Sequence, residues 1–343
     1  MVSGRPGGRS PVSVRGATFS FRPISFSQET IVFIIAVAMF ILFAVFLRGF
    51  ISAGNILSLV QNVSILGILG IGMAVAIVGR GIDLSMIATM AISVAWVLDM
   101  ANTGTPLGLA ILWGLGLSLL IGLANGILIA YVEIPAIFAT LAMGTVVYGF
   151  GHSVLVNSDV IFMPKSALWF QAIGGGTLLG VPNPVILLAL FSLAAFLFLQ
   201  FTRPGRFLYA IGDNPLTARA TGIPSRPMMV LQYLLTSAIG FAAGIITATA
   251  VNSMNTRVAN STMVYDVILV VVIGGVGLSG GKGGVRNVIV GTLLIGTLLN
   301  GMTIMDVPYT IQNIIKSSIL LVAIVADSIM NPRDEQTSQQ GDI

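Results

Sequence analysis

Residues 56–79 read ILSLVQNVSILGILGIGMAVAIVG, a run without a charged side chain. A helix rises 1.5 Å per residue, so about 20 consecutive apolar residues are needed to cross the roughly 30 Å hydrocarbon core of a bilayer. This run is long enough to do so, and its glycines are typical of helices that pack closely inside membranes. It predicts a membrane-spanning helix.

Similar apolar runs recur along the chain. Of its 343 residues, 56% are hydrophobic and 8% are charged, whereas soluble domains carry about 25% charged residues. The sequence therefore predicts an all-α membrane protein of about ten transmembrane helices. We expect these spans at 31–47, 56–79, 84–101, 107–131, 134–156, 184–201, 228–250, 264–280, 288–304 and 310–327. Two connections between spans are long, at residues 157–183 and 202–227.

The positive charges are distributed unevenly over these loops. With the N-terminus inside, twelve basic residues lie on the cytoplasmic side: Arg5, Arg9, Arg15, Arg22, Arg80, Arg203, Arg206, Arg219, Arg226, Lys282, Arg286 and Arg333. Only Arg48, Lys165 and Arg257 lie outside. Because cytoplasmic loops carry the excess of Lys and Arg, both termini are predicted to be cytoplasmic. This orientation explains the net charge of +4 without a nucleic-acid partner.

The same topology divides the chain into three parts. Residues 1–30 are rich in Gly, Ser, Pro and Arg and predict a disordered basic cytoplasmic tail. Residues 31–330 form the transmembrane domain, with the loop 202–227 on its cytoplasmic side, and residues 331–343 form a second cytoplasmic tail.

The chain has no cysteine and one histidine. This composition excludes disulfides, iron–sulfur clusters, thiol nucleophiles and Cys/His zinc sites. No cluster of catalytic side chains is evident, so the sequence predicts no metal, no cofactor and no enzymatic activity of its own.

Residues 274–283 read GGVGLSGGKG, which superficially resembles a phosphate-binding loop. Such a loop needs a glycine where Val276 stands and a Ser or Thr where Gly283 stands. The segment is therefore predicted to be a tight reversal at the cytoplasmic surface, and any ATP must be handled by another chain.

The loop 202–227 contains helix-boundary signals. Asp213 or Asn214 can cap a helix that starts at Pro215, and Gly222 with Pro224 can end it. We expect a helix over Pro215–Thr221 that presents Leu216, Arg219 and Ala220. It can dock into a partner's groove, or the segment can be an ordinary positive-inside loop.

Some polar groups fall near or inside the spans. Asp83, in the stretch 81–85, is predicted to cap the third span. Lys316 lies inside the last span. Either its charge has a functional role inside the membrane, or its long side chain extends outward to place the charge at the membrane surface. Six amides either line a wet path or bond between helices: Gln61, Asn62, Asn125, Asn300, Gln312 and Asn313.

A helix-end pattern occurs twice, with Asn125-Gly126 followed by Pro135 and Asn300-Gly301 followed by Pro308. In the ten-span topology the two copies run in opposite directions. An inverted repeat of spans one to five and six to ten explains this, and chance similarity is the alternative.

Several motifs occur in an order that resembles one transporter family. They are Gly81-Ile82-Asp83-Leu84-Ser85, Asn125-Gly126, Ile134-Pro135, Ala139-Thr140-Leu141, Gly212-Asp213-Asn214, Ala218-Arg219 with Gly222-Ile223, Gly274-Gly275, Leu278-Ser279-Gly280-Gly281, Gly291-Thr292-Leu293 and Asn300-Gly301. Over roughly residues 50–330 the chain resembles the permease subunit of bacterial ABC sugar importers of the ribose, xylose, galactose and arabinose class.

This resemblance implies a subunit that moves a monosaccharide or related polyol across the bacterial inner membrane. It also implies two permease copies in membrane lipid, two cytoplasmic ATP-binding subunits and a periplasmic sugar-binding protein. The coupling helix is then represented by Asp213, Asn214, Leu216, Ala218, Arg219 and Gly222. The structural motif residues are Gly81, Asp83, Ser85, Gly274, Gly275, Gly280 and Gly281.

The chain departs from the family pattern at Arg80, Ile87 and Lys316, where small residues are usual. Two alternatives remain open. An ion-coupled secondary transporter would place carboxylates in mid-membrane, whereas the acids here cluster near span ends. An ABC permease for branched-chain amino acids differs from the first reading only in its substrate.

Overall fold

The computed structural model describes residues 27–164 and 167–330. In this part of the chain, eight helices are long and apolar enough to cross a membrane. They are α1 Gln28–Phe46, α2 Ala53–Val78, α4 Leu107–Ala130, α5 Ala136–Phe150 with a π-helical end Gly151–Leu155, α7 Asn183–Phe201, α10 Ser225–Val251, α12 Val285–Ile304 and α13 Tyr309–Met330. Each coincides with a predicted span.

The other two predicted spans correspond to shorter apolar helices, α3 Met86–Asn102 and α11 Met263–Gly274. The span predicted at 264–280 was too long. The chain leaves α11 at Gly275, which has a φ of +100° and whose amide bonds the last helical carbonyls. Since glycine adopts this left-handed conformation without a steric penalty, the helix ends there. The count of ten spans remains a prediction.

Both long connections contain helices, of which only the one at Pro215–Ala220 was predicted. In the first lies α6 Leu168–Gly175, and in the second lie α8 Arg203–Asp213 and α9 Pro215–Ala220. The protein is mostly helical but not purely so. Strand β1 Val160–Phe162 pairs antiparallel with β4 Ser253–Asn255, and β2 Thr177–Leu178 pairs with β3 Val181–Pro182.

Helix α2 lies at the centre of the molecule. From Val63 to Val78 every one of its residues is buried, on all sides of the helix. A helix that is apolar all round belongs in a core or a membrane. Helices α7, α10, α11 and α12 pack around it, while α1, α4, α5 and α13 expose many large apolar side chains. The exposed apolar sides suit contact with lipid.

The two copies of the helix-end pattern have the same local conformation. Glu133 (φ +64°) stands two residues before Pro135, and Asp306 (φ +51°) stands two residues before Pro308. In each case the next helix begins directly after the proline. The likeness is local, and the inverted repeat stays a prediction.

The described positive charges separate along the helices. One end of the molecule, called the basic end below, carries Arg80, Arg203, Arg206, Arg219, Arg226, Lys282 and Arg286. Arg48 and Arg257 lie at the opposite end. Of the predicted tails, residues 1–26 and 331–343 lie outside the described residues, as does Lys165.

Candidate functional site

Helix α8 forms the first part of the basic-end connection. Its start is capped by the Thr202 side chain, which accepts the Gly205 amide at 3.1 Å, and Pro204 occupies the first turn. Leu208 and Ile211 are fully buried, whereas Arg206 is exposed. The spacing places an apolar face on the core and a charged face outside. Sequence reasoning missed this helix, although the Thr-x-Pro cap was a usable signal.

Helix α9 has the boundaries that its sequence predicted, to within a residue. The Asn214 side chain accepts the Thr217 amide at 3.0 Å, which makes Asn214 the N-cap. At the other end Gly222 (φ +84°) donates to the Arg219 carbonyl, and Ile223 donates to the Ala218 carbonyl, each at 3.0 Å. This is a Schellman motif, which needs a left-handed residue at the glycine position.

The predicted coupling residues divide by orientation. Leu216 is 47% exposed, and Asp213, Arg219 and Gly222 are also exposed. Ala218 is buried. Helix α9 is therefore seated on the molecule through Ala218 and presents an apolar and a cationic side chain outward.

A turn of residues 275–284, called the glycine turn, joins three helices at this end. The Gly281 amide donates to the Val78 carbonyl at the end of α2, at 3.0 Å. Tyr209 of α8 donates its hydroxyl to the Gly283 carbonyl at 2.7 Å. The Leu278 amide donates to Asp327 of α13 at 3.2 Å. The segment reverses direction as predicted, and Asp327 supports it through this bond.

The backbones of α8, α2 and the glycine turn approach each other so closely that Gly212 and Gly281 leave no room for a side chain. A Cβ on Gly212 would overlap the Val78 carbonyl oxygen and the Gly281 amide nitrogen. A Cβ on Gly281, which has a φ of +70°, would lie 2.6 Å from the Asp213 amide nitrogen. The atoms in the way belong to the backbone and cannot rotate aside. The contact of α8, α2 and the glycine turn thus depends on missing side chains.

The remaining glycines of the predicted structural motif are also required, either by close contacts or by a left-handed backbone conformation. A Cβ on Gly274 would overlap the Asn287 carbonyl, and Gly280 has a φ of +84°. A Cβ on Gly81 would lie 2.5 Å from the Tyr233 hydroxyl.

Asp83 lies at the centre of a buried polar network. Its Oδ1 accepts from the Ser85 amide at 3.0 Å and from the Ser85 hydroxyl at 2.6 Å, and its Oδ2 accepts from Thr236 at 2.9 Å. Asn125 donates to the Ser85 hydroxyl at 2.8 Å. Ser85 occupies the N-cap position of α3 but its side chain makes no capping bond, whereas the Asp83 carboxylate accepts a backbone amide at this helix start, as predicted. The network ties α3, α4 and α10 together.

The six amides predicted to line the path do not form one continuous row in the structure. Asn125 is fully buried in the Asp83 network. Asn300 exchanges two hydrogen bonds with Asn55, at 2.9 and 3.0 Å. Asn62 is exposed on α2 and Gln61 beside it is partly exposed.

Gln312 and Asn313 lie on α13. Gln312 donates to the Val307 carbonyl at 2.8 Å, and Asn313 accepts from Thr262 at 3.1 Å. Asn313 also borders a shallow, largely open depression on the outer face of α13, called the groove on α13 below. The groove is lined by Thr310, Asn313, Ile314, Ser317, Ser318 and Leu321. Polar side chains on an exposed face of a membrane helix are unfavourable against lipid.

Lys316 does not snorkel. Its side chain is 6% exposed, and its Nζ lies 2.8 Å from Asp266 of α11. Asp266 is thus the partner of an ion pair between α11 and α13.

A second charged group lies at the end opposite the basic end. Asp159 binds Arg257 at 2.6 Å and His152 at 3.1 Å. The Arg257 guanidinium, followed by His152, lowers the pKa of the Asp159 carboxyl below its usual value. Asp159 was not predicted from the sequence, because its partner Arg257 lies in a distant part of the chain. Among the described residues no three His, Cys, Asp or Glu side chains are placed to hold a metal ion.

Comparison with known proteins gives consistent relatives. Residues 55–325 match the family described as branched-chain amino acid transport system / permease component. The ribose import permease of Bacillus subtilis strain 168 is 34% identical over 81% of this chain and 86% of its own length. That of Escherichia coli K12 is 31% identical over 82% and 87%.

The galactofuranose transporter permease of Escherichia coli K12 is 32% identical over 80% of each chain. No solved structure matches the chain. The apolar helices and the extent of these alignments agree on a multi-pass membrane protein. The chain belongs to the branched-chain amino acid transport system / permease component family.

Proposed function

We propose that this chain is the membrane-spanning subunit of an ABC importer for a monosaccharide or related polyol. The observation that carries the proposal is that relatives aligned over four fifths or more of the chain are permeases for ribose and galactofuranose. A permease for xylose is also similar, at 30% identity over 90% of this chain. ATP hydrolysis is assigned to separate subunits.

The basic end faces the cytoplasm in this proposal, because positive charge is retained inside. Helix α9 then contacts the ATP-binding subunit through Leu216 and Arg219. Motion of α9 is transmitted to the transmembrane helices through α8 and the glycine turn. In this turn the Leu278 amide donates a hydrogen bond to Asp327 of α13. Transport needs such a rigid connection between ATPase closure and the helices that line the path.

The path is assigned to the interface between two copies of the chain. The groove on α13 and the exposed amide Asn62 on α2 place polar groups where a lone chain would meet lipid. A second copy around a water-filled path removes that penalty. A periplasmic binding protein delivers the sugar at the end that carries Arg257.

The proposal is tested by expressing the chain together with an ABC ATPase subunit and a periplasmic sugar-binding protein from the same organism. We expect the ATPase to co-purify with the chain in mild detergent, and vesicles to take up ribose, xylose or galactose only with ATP and the binding protein. Uptake of leucine or valine instead would favour the amino-acid permease. ATP-independent uptake driven by a proton or sodium gradient would favour a secondary transporter.

The coupling assignment makes a separate prediction. Arg219→Glu reverses a charge on the exposed face of α9, and like-charge contact at an interface is unfavourable by several kcal/mol. We expect ATPase co-purification and ATP-driven uptake to fall by at least about tenfold, while the chain still inserts in the membrane.

Arg48→Glu is the matched control, because Arg48 is exposed at the opposite end of the molecule. It should leave ATPase binding unchanged. Native ATPase association and uptake in the Arg219 variant would show that α9 is not the docking element.

A further inference from the structure

The Lys316–Asp266 pair is unusual in its position. Lys316 lies about two turns into α13, and Asp266 lies in the first turn of α11. The Nζ atom is 2.8 Å from each carboxylate oxygen, and the two side chains are 6% and 14% exposed. The pair thus brings two full charges into helices that lie among lipid and other helices.

Packing alone does not explain this pair. Removing two ions from water is unfavourable, and well-packed apolar side chains of similar volume stabilise a protein as well or better. Ionisable residues inside membrane helices mark the routes of substrates and ions. A second feature of this position is therefore relevant.

That feature is a small cavity against the pair. Its volume is about 10 Å³, and its polar lining comes from Thr262, Tyr265, Asp266, Asn313, Lys316 and Ser317. This is room for about one water molecule or one hydroxyl group. Asn313 and Ser317 also border the groove on α13, so the cavity adjoins the groove.

The chemistry of the cavity matches a hydroxyl. Asp266 Oδ1 is near Lys316 but has no contact of hydrogen-bond geometry, so it retains an unfilled acceptor position. Lys316 supplies donors at the same place. A hydroxyl both donates and accepts hydrogen bonds. An ammonium group would be repelled by Lys316, whereas a carboxylate would be repelled by Asp266 and is too large for the cavity.

We infer that the Lys316–Asp266 pair binds one hydroxyl group of a neutral, polyhydroxylated substrate as it passes along the groove on α13. This inference rests on the proposed function, because it assumes that the groove is part of the path. It makes the pair a specificity-determining contact within that path.

The test compares sugars that differ by one hydroxyl. The complete importer is assayed in vesicles with whichever of ribose, xylose and galactose it takes up, and with the mono-deoxy analogues of that sugar. In the unchanged importer, loss of the bound hydroxyl should reduce kcat/KM for uptake by about tenfold. In the double variant Lys316→Met, Asp266→Leu, that difference should disappear at this one position and persist at the others.

The binding protein is the same in both importers, so its own selectivity cancels in the comparison. The double variant avoids leaving one buried charge without a partner. Glu133→Gln with Arg226→Gln is the control, because it removes an exposed ion pair of 2.9 Å at the basic end and should preserve every ratio.

Native ratios in the double variant would overturn the inference and leave the pair as a brace between two helices. If that variant transports nothing, Lys316→Asp with Asp266→Lys keeps both charges in reversed positions. A hydroxyl contact then predicts an altered ratio at one position, and a brace predicts native ratios. Failure of the unchanged importer to take up any of the three sugars would instead overturn the proposed function, and this inference with it.

Discussion

Asp83→Ala is expected to prevent most of the chain from accumulating as a folded membrane protein. The carboxylate accepts three hydrogen bonds, from the Ser85 amide, the Ser85 hydroxyl and Thr236, and all of these groups are buried. A buried donor left without an acceptor costs about 1–3 kcal/mol. Two or three such losses are a large part of the roughly 5–15 kcal/mol that stabilises a typical protein.

The measurement is the yield of monodisperse protein in mild detergent, together with its thermal unfolding temperature. Asp83→Asn should be intermediate, because its amide oxygen can still accept from Ser85. Thr236→Val should be milder, because it removes one donor and leaves the two bonds from Ser85.

Asp306→Asn is the matched control for these variants. Asp306 is also a carboxylate in a turn, but it is exposed, so we expect a change within about 0.5 kcal/mol. A native yield and unfolding temperature for Asp83→Ala would show that the network does not support the fold.

The sequence predicted features whose signals are local. Helix α9 is an example, because Asn214, Pro215 and Gly222 specify its boundaries within nine residues. The eight long spans are another, since their lengths follow from apolar runs alone. Both kinds of feature need no knowledge of distant parts of the chain.

Features that depend on distant partners were not predicted. Thr236 is 153 residues from Asp83, so its bond to this carboxylate could not be predicted from the residues around the helix start. Asp266 is 50 residues from Lys316, and without that partner the sequence could not decide between a functional role and outward snorkelling for this lysine. Asn125 looked like a path residue because its bond to Ser85 was equally invisible.

The second large effect is expected at the contact between α8 and the glycine turn. Gly212→Ala adds one methyl group where the Val78 carbonyl and the Gly281 amide already fill the space. These two groups also bond each other at 3.0 Å. Forcing an extra methyl into a packed site costs about 1–3 kcal/mol, and here α8 itself must move because backbone atoms cannot.

We expect the transmembrane helices to remain folded in this variant, because Gly212 contacts only their ends. Movement of α8 should displace α9 from its docking position, and a misplacement of about 1 Å can reduce the rate of a positioned reaction by as much as a hundredfold. The expected result is ATP-driven uptake reduced at least about tenfold. Trypsin should also cleave faster after Arg206 and Arg219, since Arg203 and Arg226 each precede a proline.

Gly116→Ala distinguishes this explanation from a general intolerance of alanine for glycine. Gly116 is also helical, but a Cβ there would meet no atom within 4 Å, and alanine favours a helix over glycine by about 1 kcal/mol. This control should transport normally and unfold at the native temperature or above. If Gly212→Ala behaved in the same way, α8 and the glycine turn could not be the rigid connection between α9 and the membrane helices. Coupling would then have to pass from α9 directly into α10, which starts three residues after Gly222.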